Sequence, residues 1–429
     1  MLDAKIGVSQ NWDPILATDE AIAEATDDLK SNPKIILLFT TIHYEKNNGF
    51  RKILDRIYQK FAKDTPLIGG TVAGFISSKG CFVRGISLAI IYSDNLEVIT
   101  AVGKNNKRSP ESAVMQVSNT IKPLLVNSKY DNNIMLQIIS GGKIPFIPFL
   151  KQGRVVHSTI IGEIESKGIG LTLKLLQKGV GREEEILKLM VQEFPDANII
   201  SLSSMDDEKM ERNFQFHNNK VLTDVIVTAC ILTNYELDLK SEISLEDIGI
   251  EFDITRIGND RRTIKELDKI PAKEAFIKKM NWPKSYFDEN IYRKVFFYPL
   301  VHELNGQKIS SVAGLFLGQN LYSTYQIESD KLSIMSYSGK KLYDTVSNDM
   351  QQIDVNQLDF LFLVECGIRL EAMGRKIFAI REKIVNRLAG KPFLLVYPAG
   401  EGVYSKKILK YGNETYNRVC FYKPKKVLT

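Results

Sequence analysis

The hydrophobic positions of the chain repeat in three similar units. Each unit has an apolar strand, an amphipathic helix and a second strand preceded by proline, and then a loop of small or acidic residues. Apolar residues at helical spacing mark one buried face of each helix. The repetition predicts β-α-β pieces whose loops could converge on one crevice. The strand, helix and strand are predicted at 35–41, 51–61 and 67–74, at 134–140, 181–194 and 198–207, and at 360–366, 375–390 and 393–402.

Further strands follow the first two units without an intervening helix. Alternating apolar and polar residues predict these strands over 82–92 and 220–231. Strand after strand implies antiparallel pairing, whereas the continuous apolar runs indicate strands buried on both faces. The predicted fold class is therefore α+β, with repeated β-α-β-β units that form mixed, largely antiparallel sheets covered by helices.

The length of 429 residues exceeds what one hydrophobic core usually serves. A segment of different character, 237–280, contains a hairpin that turns at 258–260 and a helix with Pro271 in its first turn. Several short strands follow over 298–337. We therefore predict two domains, 1–235 with two of the units and 236–429 with a strand-rich insert and the third unit.

Composition excludes several classes of function. The net charge of +6 comes from lysines and arginines interleaved with acidic residues, so we expect no nucleic-acid partner. The apolar runs are too short to cross a bilayer, which predicts no membrane insertion. The N-terminus does not resemble a secretory signal, so we expect a cytoplasmic protein. Four scattered cysteines and four histidines lack ligand spacing, which predicts neither a metal site nor a cofactor.

Six motifs in the same order resemble those of the FIST family, whose members pair a FIST-N with a FIST-C domain. The chain is similar to the stand-alone prokaryotic and archaeal type over nearly its whole length. The motifs are GVSQNWDPILATDEAIAEA (7–25), LIGGTVAGFISSKG (67–80), FHNNKVLTDVIV (216–227), FDITRIGNDRRTIKELDKIPAKEAF (252–276), CGIR (366–369) with YPAGE (397–401), and NET (413–415).

The resemblance implies a sensory input module for signal transduction. Such a module would bind a small ligand, for example an amino acid or a related metabolite, without catalysis, and would act through a downstream signalling protein. The chain departs from the family pattern in three places. The second unit ends in the acidic SLSSMDDE (201–208), an arginine usual in ISSVAGL (309–315) is missing, and Gly412 replaces a histidine. These departures bear on the identity of the ligand more than on the fold.

The loops and the family motifs supply the candidate ligand-binding residues. Glycines let a ligand approach the backbone, and hydroxyl or carboxylate groups orient it. An amino acid would suit such a site, with Arg369 holding the carboxylate and Glu401 accepting from the ammonium group. The candidates are Gly69, Gly70, Thr71, Ser203, Ser204, Asp206, Cys366, Arg369, Gly400, Glu401 and Asn413.

Each candidate also has a structural interpretation. The two glycines could permit a tight bend, Arg369 could form an ion pair with Glu365 or Glu401, and Asn413 could hydrogen-bond the backbone of a turn.

Two other classes of function stay open. Cys366 follows a predicted strand and could act as the nucleophile of an enzyme if a base lay nearby. The third class is a protein-interaction module that acts through a partner. The sequence leaves the oligomeric state open as well.

Overall fold

The computed structural model describes residues 2–26, 32–126, 128–130, 132–144, 154–207, 209–288 and 290–424. The strands of these residues are β1 (Asp3–Ser9), β2 (Ile35–Thr40), β3 (Leu67–Thr71), β4 (Gly74–Ser77), β5 (Gly80–Phe82), β6 (Ile86–Tyr92), β7 (Leu96–Lys104), β8 (Asn132–Ser140), β9 (Val155–Val156), β10 (Asn198–Ser204), β11 (Gln215–His217), β12 (Lys220–Leu222), β13 (Val225–Thr233), β14 (Glu236–Ile243), β15 (Glu246–Ile257), β16 (Thr263–Leu267), β17 (Ile270–Pro271), β18 (Leu300–Leu304), β19 (Gln307–Ser311), β20 (Ala313–Leu317), β21 (Asn320–Ser323), β22 (Lys331–Ser336), β23 (Leu358–Glu365), β24 (Phe393–Tyr397), β25 (Glu401–Ser405), β26 (Ile408–Gly412) and β27 (Thr415–Tyr422).

The α-helices cover the sheets and connect their strands. None of those in the described residues is long and apolar enough to cross a membrane. They are α1 (Pro14–Ala25), α2 (Gly49–Lys60), α3 (Pro110–Leu125), α4 (Thr159–Leu176), α5 (Glu183–Glu193), α6 (Ala272–Met280), α7 (Ile291–Val295), α8 (Gly339–Gln352), α9 (Gly367–Met373) and α10 (Ile377–Leu388).

The three predicted units form three sheets of the same design. In each unit the two strands that flank the helix pair in parallel, as β2 with β3, β8 with β10 and β23 with β24. An antiparallel strand lies on the other side of the first strand, namely β6, β13 or β27. The prediction of an α+β fold with mixed, largely antiparallel sheets is confirmed.

Each sheet is completed by a hairpin from another unit. The hairpin β11–β12 joins β3, β25–β26 joins β10, and β4–β5 joins β24, so every unit contributes one hairpin and receives another. Two of these hairpins come from the opposite side of residues 235 and 236, where the sequence predicted a domain boundary. That boundary remains a prediction, and the exchange ties the two halves together through backbone hydrogen bonds.

The exchange also breaks four predicted strands. The expected strand over 67–74 ends at Thr71, and β4 starts at Gly74 in a different sheet. The expected strand over 393–402 likewise divides into β24 and β25. The expected strands over 82–92 and 220–231 are interrupted at 83–85 and at 223–224, and their two parts lie in different sheets. These breaks place the loops after β3, β10 and β24 where units meet.

A fourth sheet is built from the strand-rich segment. Its order is β19-β18-β22-β15-β16-β21-β20-β9, with β17 paired to β16. The predicted hairpin is present as antiparallel β15 and β16. The predicted helix is α6, which starts at Ala272, so Pro271 is its N-cap residue and does not lie in the first turn. One apolar core lies between the three unit sheets. A separate core, rich in aromatic rings, packs against the fourth sheet.

Candidate functional site

The loops after the second strands of the three units converge. Each loop is hydrogen-bonded to a neighbouring loop through backbone groups, so the three form a closed ring of contacts. Backbone bonds of this kind fix the loops with no contribution from side-chain identity. They run from Met205 N to Thr71 O (2.8 Å), from Ala73 N to Tyr397 O (2.9 Å) and from Ala399 N to Ser203 O (2.9 Å).

A small cavity of about 50 Å³ lies beside this junction. Its wall is mainly apolar, with three polar side chains among the lining residues, a composition typical of small-ligand sites. Three loop residues contribute directly, namely Met205, Pro398 and Ala399. The polar lining residues are Arg154, Thr324 and Asn413, and further apolar ones include Met210, Phe296, Val312 and Ile368.

Arg154 is the cationic group of the cavity. Its guanidinium lies 3.8 Å from the centre of the Tyr292 ring and donates to the carbonyl oxygen of Lys209 at 3.0 Å. These two contacts orient a side chain that is only 4% exposed. A planar guanidinium held in this way suits a carboxylate ligand. Sequence reasoning did not identify this residue, because a single arginine before a short apolar run has no distinctive signal.

Asn413 also lines the cavity and is held by its neighbours. Its Nδ2 donates to the carbonyl oxygen of Ala399 at 3.2 Å, and its Oδ1 accepts from the Thr324 hydroxyl at 2.7 Å. Its backbone N–H donates to Ser310 O at 2.9 Å. The sequence offered ligand contact and a structural turn as alternatives for Asn413. The described contacts are structural, and the residue also lines the cavity.

Cys366 and Glu401 lie together behind the cavity. The thiol donates to Ala399 O at 3.5 Å, and the Glu401 carboxyl accepts from the Thr415 hydroxyl at 3.1 Å. Burial raises the pKa of Glu401 well above its usual value. Burial, and next the nearby Glu401, raise the pKa of the Cys366 thiol well above its usual value. The thiol is therefore protonated at neutral pH, a poor state for a nucleophile.

A family model for the FIST N domain matches residues 34–270, which is more than half of the chain. This chain belongs to the FIST family. FIST domains are sensory domains of signal transduction, as the motifs predicted. No curated protein matches the chain.

Two solved structures resemble this FIST protein weakly. Cyanuric acid hydrolase from A. caulinodans is 6% identical with a TM-score of 0.31, over 99% of this chain and 100% of that one. PurLQS from Thermotoga maritima is 10% identical with a TM-score of 0.21, over 100% of this chain and 74% of that one. At these scores neither likeness supports an argument about this FIST protein.

The arginine of the CGIR motif lies in a buried ion pair. Arg369 Nε contacts Glu365 Oε2 at 3.0 Å, and its Nη1 donates to the Ser244 hydroxyl at 3.0 Å. Both charged side chains are fully buried. Of the two interpretations of Arg369 from the sequence, this contact corresponds to the structural ion pair, with Glu365 as the partner. The role of Arg369 and Glu401 as a pair that holds an amino acid remains a prediction, and Ile368, not Arg369, lines the cavity.

The glycines of this FIST protein allow close packing. A Cβ on Gly69 would lie 1.8 Å from Leu38 O, and one on Gly70 would lie 3.0 Å from Cγ2 of Ile138. A Cβ on Gly400 would lie 2.6 Å from the Tyr325 hydroxyl. Gly400 also accepts from Ser203 N through its carbonyl at 2.9 Å. These contacts explain why larger residues are disfavoured there, and ligand contact by these glycines stays a prediction.

The second loop of this FIST protein is fixed by polar side chains. The Asp206 carboxylate accepts three backbone N–H bonds, from Met210 and Glu211 at 2.8 Å and from Arg212 at 3.1 Å. The Ser204 hydroxyl donates to Ile139 O at 3.0 Å. The hydroxyl oxygen of Thr71 accepts a hydrogen bond from the backbone N–H of Phe214 at 3.1 Å. These residues shape the loop that carries Met205 and Met210 to the cavity.

A buried charged cluster lies behind Ser203, and sequence reasoning did not identify it. Lys107 is fully buried, and its Nζ lies 3.8 Å from Oδ1 of Asp224. The pKa of Lys107 is lowered to about 7, mainly by burial. The Asp224 carboxylate acts in the opposite direction and offsets part of the effect of burial. Burial also raises the pKa of Glu183, and the Ser203 hydroxyl opposes this shift. The periodic pattern gave no signal, because Lys107 lies in a loop between β7 and α3.

Proposed function

We propose that this FIST protein is a cytoplasmic sensory input module that binds a small carboxylate-bearing ligand, such as an amino acid or a related metabolite, without catalysis. The observation that supports it is the cavity at the junction of the three loops, with Arg154 and Asn413 on an otherwise mainly apolar wall. A ligand bound there would contact loops from two units. It would therefore influence how the units pack against each other.

The size and lining of the cavity restrict the ligand. A volume of about 50 Å³ corresponds to roughly three to five water-sized probes, so the ligand has few heavy atoms. Arg154 would pair with its carboxylate, and Asn413 or Thr324 would accept from or donate to a second polar group. The methionine and phenylalanine side chains would contact a short apolar substituent. Acetate and propionate are the simplest compounds with a carboxylate and a short apolar group, and glycine and alanine add an ammonium group as the second polar group.

The state of Cys366 favours binding over catalysis. An enzyme with a cysteine nucleophile needs a thiolate or a base that generates one. Burial and the neighbouring Glu401 raise the pKa of this thiol, which opposes that chemistry.

Native mass spectrometry and a thermal-shift screen test the proposal. The screen covers glycine, alanine, acetate and propionate, and the control for each acid is the compound in which an amide replaces the carboxyl group. A ligand that binds only the folded state raises the melting temperature with concentration. We expect stabilisation by at least one acid and none by its amide. Absence of a bound mass together with no shift across the panel would contradict the proposal.

Gly314→Ala tests the location of the site. Gly314 lines the cavity, and a Cβ there would lie 3.3 Å from Thr324 Cγ2, so the added methyl group takes ligand space and requires a small shift of the Thr324 side chain. We expect ligand affinity to fall about tenfold, and the melting temperature of the free variant checks that its fold accommodates the methyl group. Gly170→Ala is the matched control, because a Cβ there meets no atom within 4 Å. Equal ligand affinity in both variants would place the site elsewhere.

A further inference from the structure

Three sheets end at one groove. The strand β14 is the last strand of the third unit's sheet, β26 of the second unit's sheet, and β19 of the fourth sheet. Residues of all three strands line a groove of about 910 Å³, together with one face of α8. The groove is therefore bordered by sheet edges, which are the parts of a fold that can accept another strand.

The edge of β14 faces this groove. On one side β14 pairs with β27 from Glu236 to Ile243, and no strand in the described part of the chain pairs with its other side. Antiparallel strands present the N–H and C=O of alternate residues outward. Lys410 Nζ donates to Ser241 O at 3.2 Å, and both residues line the groove, so the outward set includes Ser241. By the alternation it also includes Leu239 and Ile243.

The groove carries an excess of positive charge. Five lysines and two glutamates are among its lining residues. Ion pairs compensate two of these lysines, since Lys188 contacts Glu328 and Lys240 contacts Glu242 at 2.6 Å. The lysines without an ion pair to any residue that the structure describes are Lys308, Lys341 and Lys410. They come from β19, α8 and β26, so they surround the edge of β14.

We propose that this groove binds an extended acidic peptide segment of a partner protein, which adds as a strand to the edge of β14. Backbone hydrogen bonds to alternate residues of β14 would align the segment, and its carboxylates would contact the three lysines that have no ion pair among the described residues. A free edge together with a cationic, elongated groove fits a peptide better than a compact anion. This proposal does not depend on the ligand cavity, and it gives a sensory module a surface for its output.

A fluorescent peptide provides the test on the full chain. The probe has about nine residues of alternating glutamate and threonine, which span roughly 30 Å when extended. Fluorescence anisotropy measures its affinity at low salt. A second probe has the same sequence with N-methyl groups at alternate residues, and so keeps its charge but loses strand hydrogen bonds. We expect the first probe to bind, the methylated one to bind at least about tenfold more weakly, and hydrogen exchange of β14 to slow.

Charge-reversal variants locate the binding surface. Both Lys308 and Lys341 are exposed, so the double variant Lys308→Glu, Lys341→Glu should fold, which its melting temperature checks. We expect it to weaken probe binding about tenfold, because each change removes an attraction and adds a repulsion. The control is Lys52→Glu on α2, an exposed lysine outside the groove, for which we expect unchanged affinity.

Four outcomes would overturn the proposal. They are no binding of the first probe, equal binding of the methylated probe, equal effects of the groove and control variants, or a dimer of this chain that the double variant dissociates. Equal binding of both probes would mean attraction of charge without strand addition, and a dimer would mean that a second copy occupies the edge. None of these outcomes bears on the carboxylate ligand, which the Gly314→Ala variant tests.

Discussion

Glu414 gives a quantitative prediction about stability. Its side chain is fully buried, and neither carboxylate oxygen has a hydrogen-bond partner among the described residues. Burial raises the pKa of this carboxyl well above its usual value. Its backbone is also in the left-handed region, with φ of 69°. The short connection between β26 and β27, which belong to different sheets, places Glu414 in a site that disfavours its charged form.

The sign of the pH effect follows from this raised pKa. Below pH about 4.5 the carboxyl is protonated in both states, and its folded environment has no charge penalty. Above that pH the unfolded chain releases the proton while the folded protein retains it. The free energy of unfolding then falls by about 1.4 kcal/mol per pH unit until the folded pKa is reached. The stability associated with Glu414 is thus present at low pH and lost as the pH rises.

Urea unfolding of Glu414→Gln at pH 5, 6 and 7 measures this contribution. Glutamine has a similar shape and does not titrate, so the difference from the natural protein should grow with pH in favour of the variant, by up to about 1.4 kcal/mol per pH unit below the folded pKa of Glu414. Comparing slopes cancels any constant cost of burying an amide. The exposed Glu303→Gln is the matched control and should follow the natural protein. Parallel curves for Glu414→Gln and the natural protein would refute the reasoning.

Three further predictions concern the sequence-derived candidates. Arg369→Met leaves Glu365 charged and buried, so urea unfolding should show a loss of about 3–5 kcal/mol. The added change Glu365→Leu should recover much of it, and no recovery would exclude the ion pair as the cause. Asp206→Ala removes the acceptor of three backbone N–H groups and should destabilise by about 3 kcal/mol; a loss below about 1 kcal/mol would contradict this. Iodoacetamide at pH 7 should modify Cys366 only after unfolding, as mass spectrometry of peptides would show, and rapid reaction of the folded protein would favour the enzyme interpretation.

Local patterns predicted the repeated units well. The helix predicted over 375–390 is α10, Ile377–Leu388, and the strand predicted over 134–140 is β8, Asn132–Ser140. Helical spacing and apolar runs indicate which face of a helix or strand is buried, and the three units bury these faces in the same way. The hydrophobic pattern of the sequence does not indicate that the units exchange hairpins. Residues 67–74 read as one apolar strand, although Thr71 and Gly74 pair in different sheets.

The candidate site was predictable only in part. The repetition led to the loops that meet at Thr71, Ser203 and Gly400, because parallel units place equivalent loops at equivalent positions. Side-chain partners did not follow from the sequence. Arg369 is paired with Glu365, whereas the cation of the cavity is Arg154, which no motif marks. Contacts between residues far apart in sequence depend on the sheet order, which the hydrophobic pattern leaves undetermined.

The most direct test of the proposed ligand site is a crystal structure of this FIST protein with the small carboxylic acid that stabilises it most. We predict difference density in the cavity at the loop junction, with the ligand carboxylate on Arg154 and a second contact to Asn413 or Thr324. Density for the acid only at another place, with this cavity unchanged, would contradict the account.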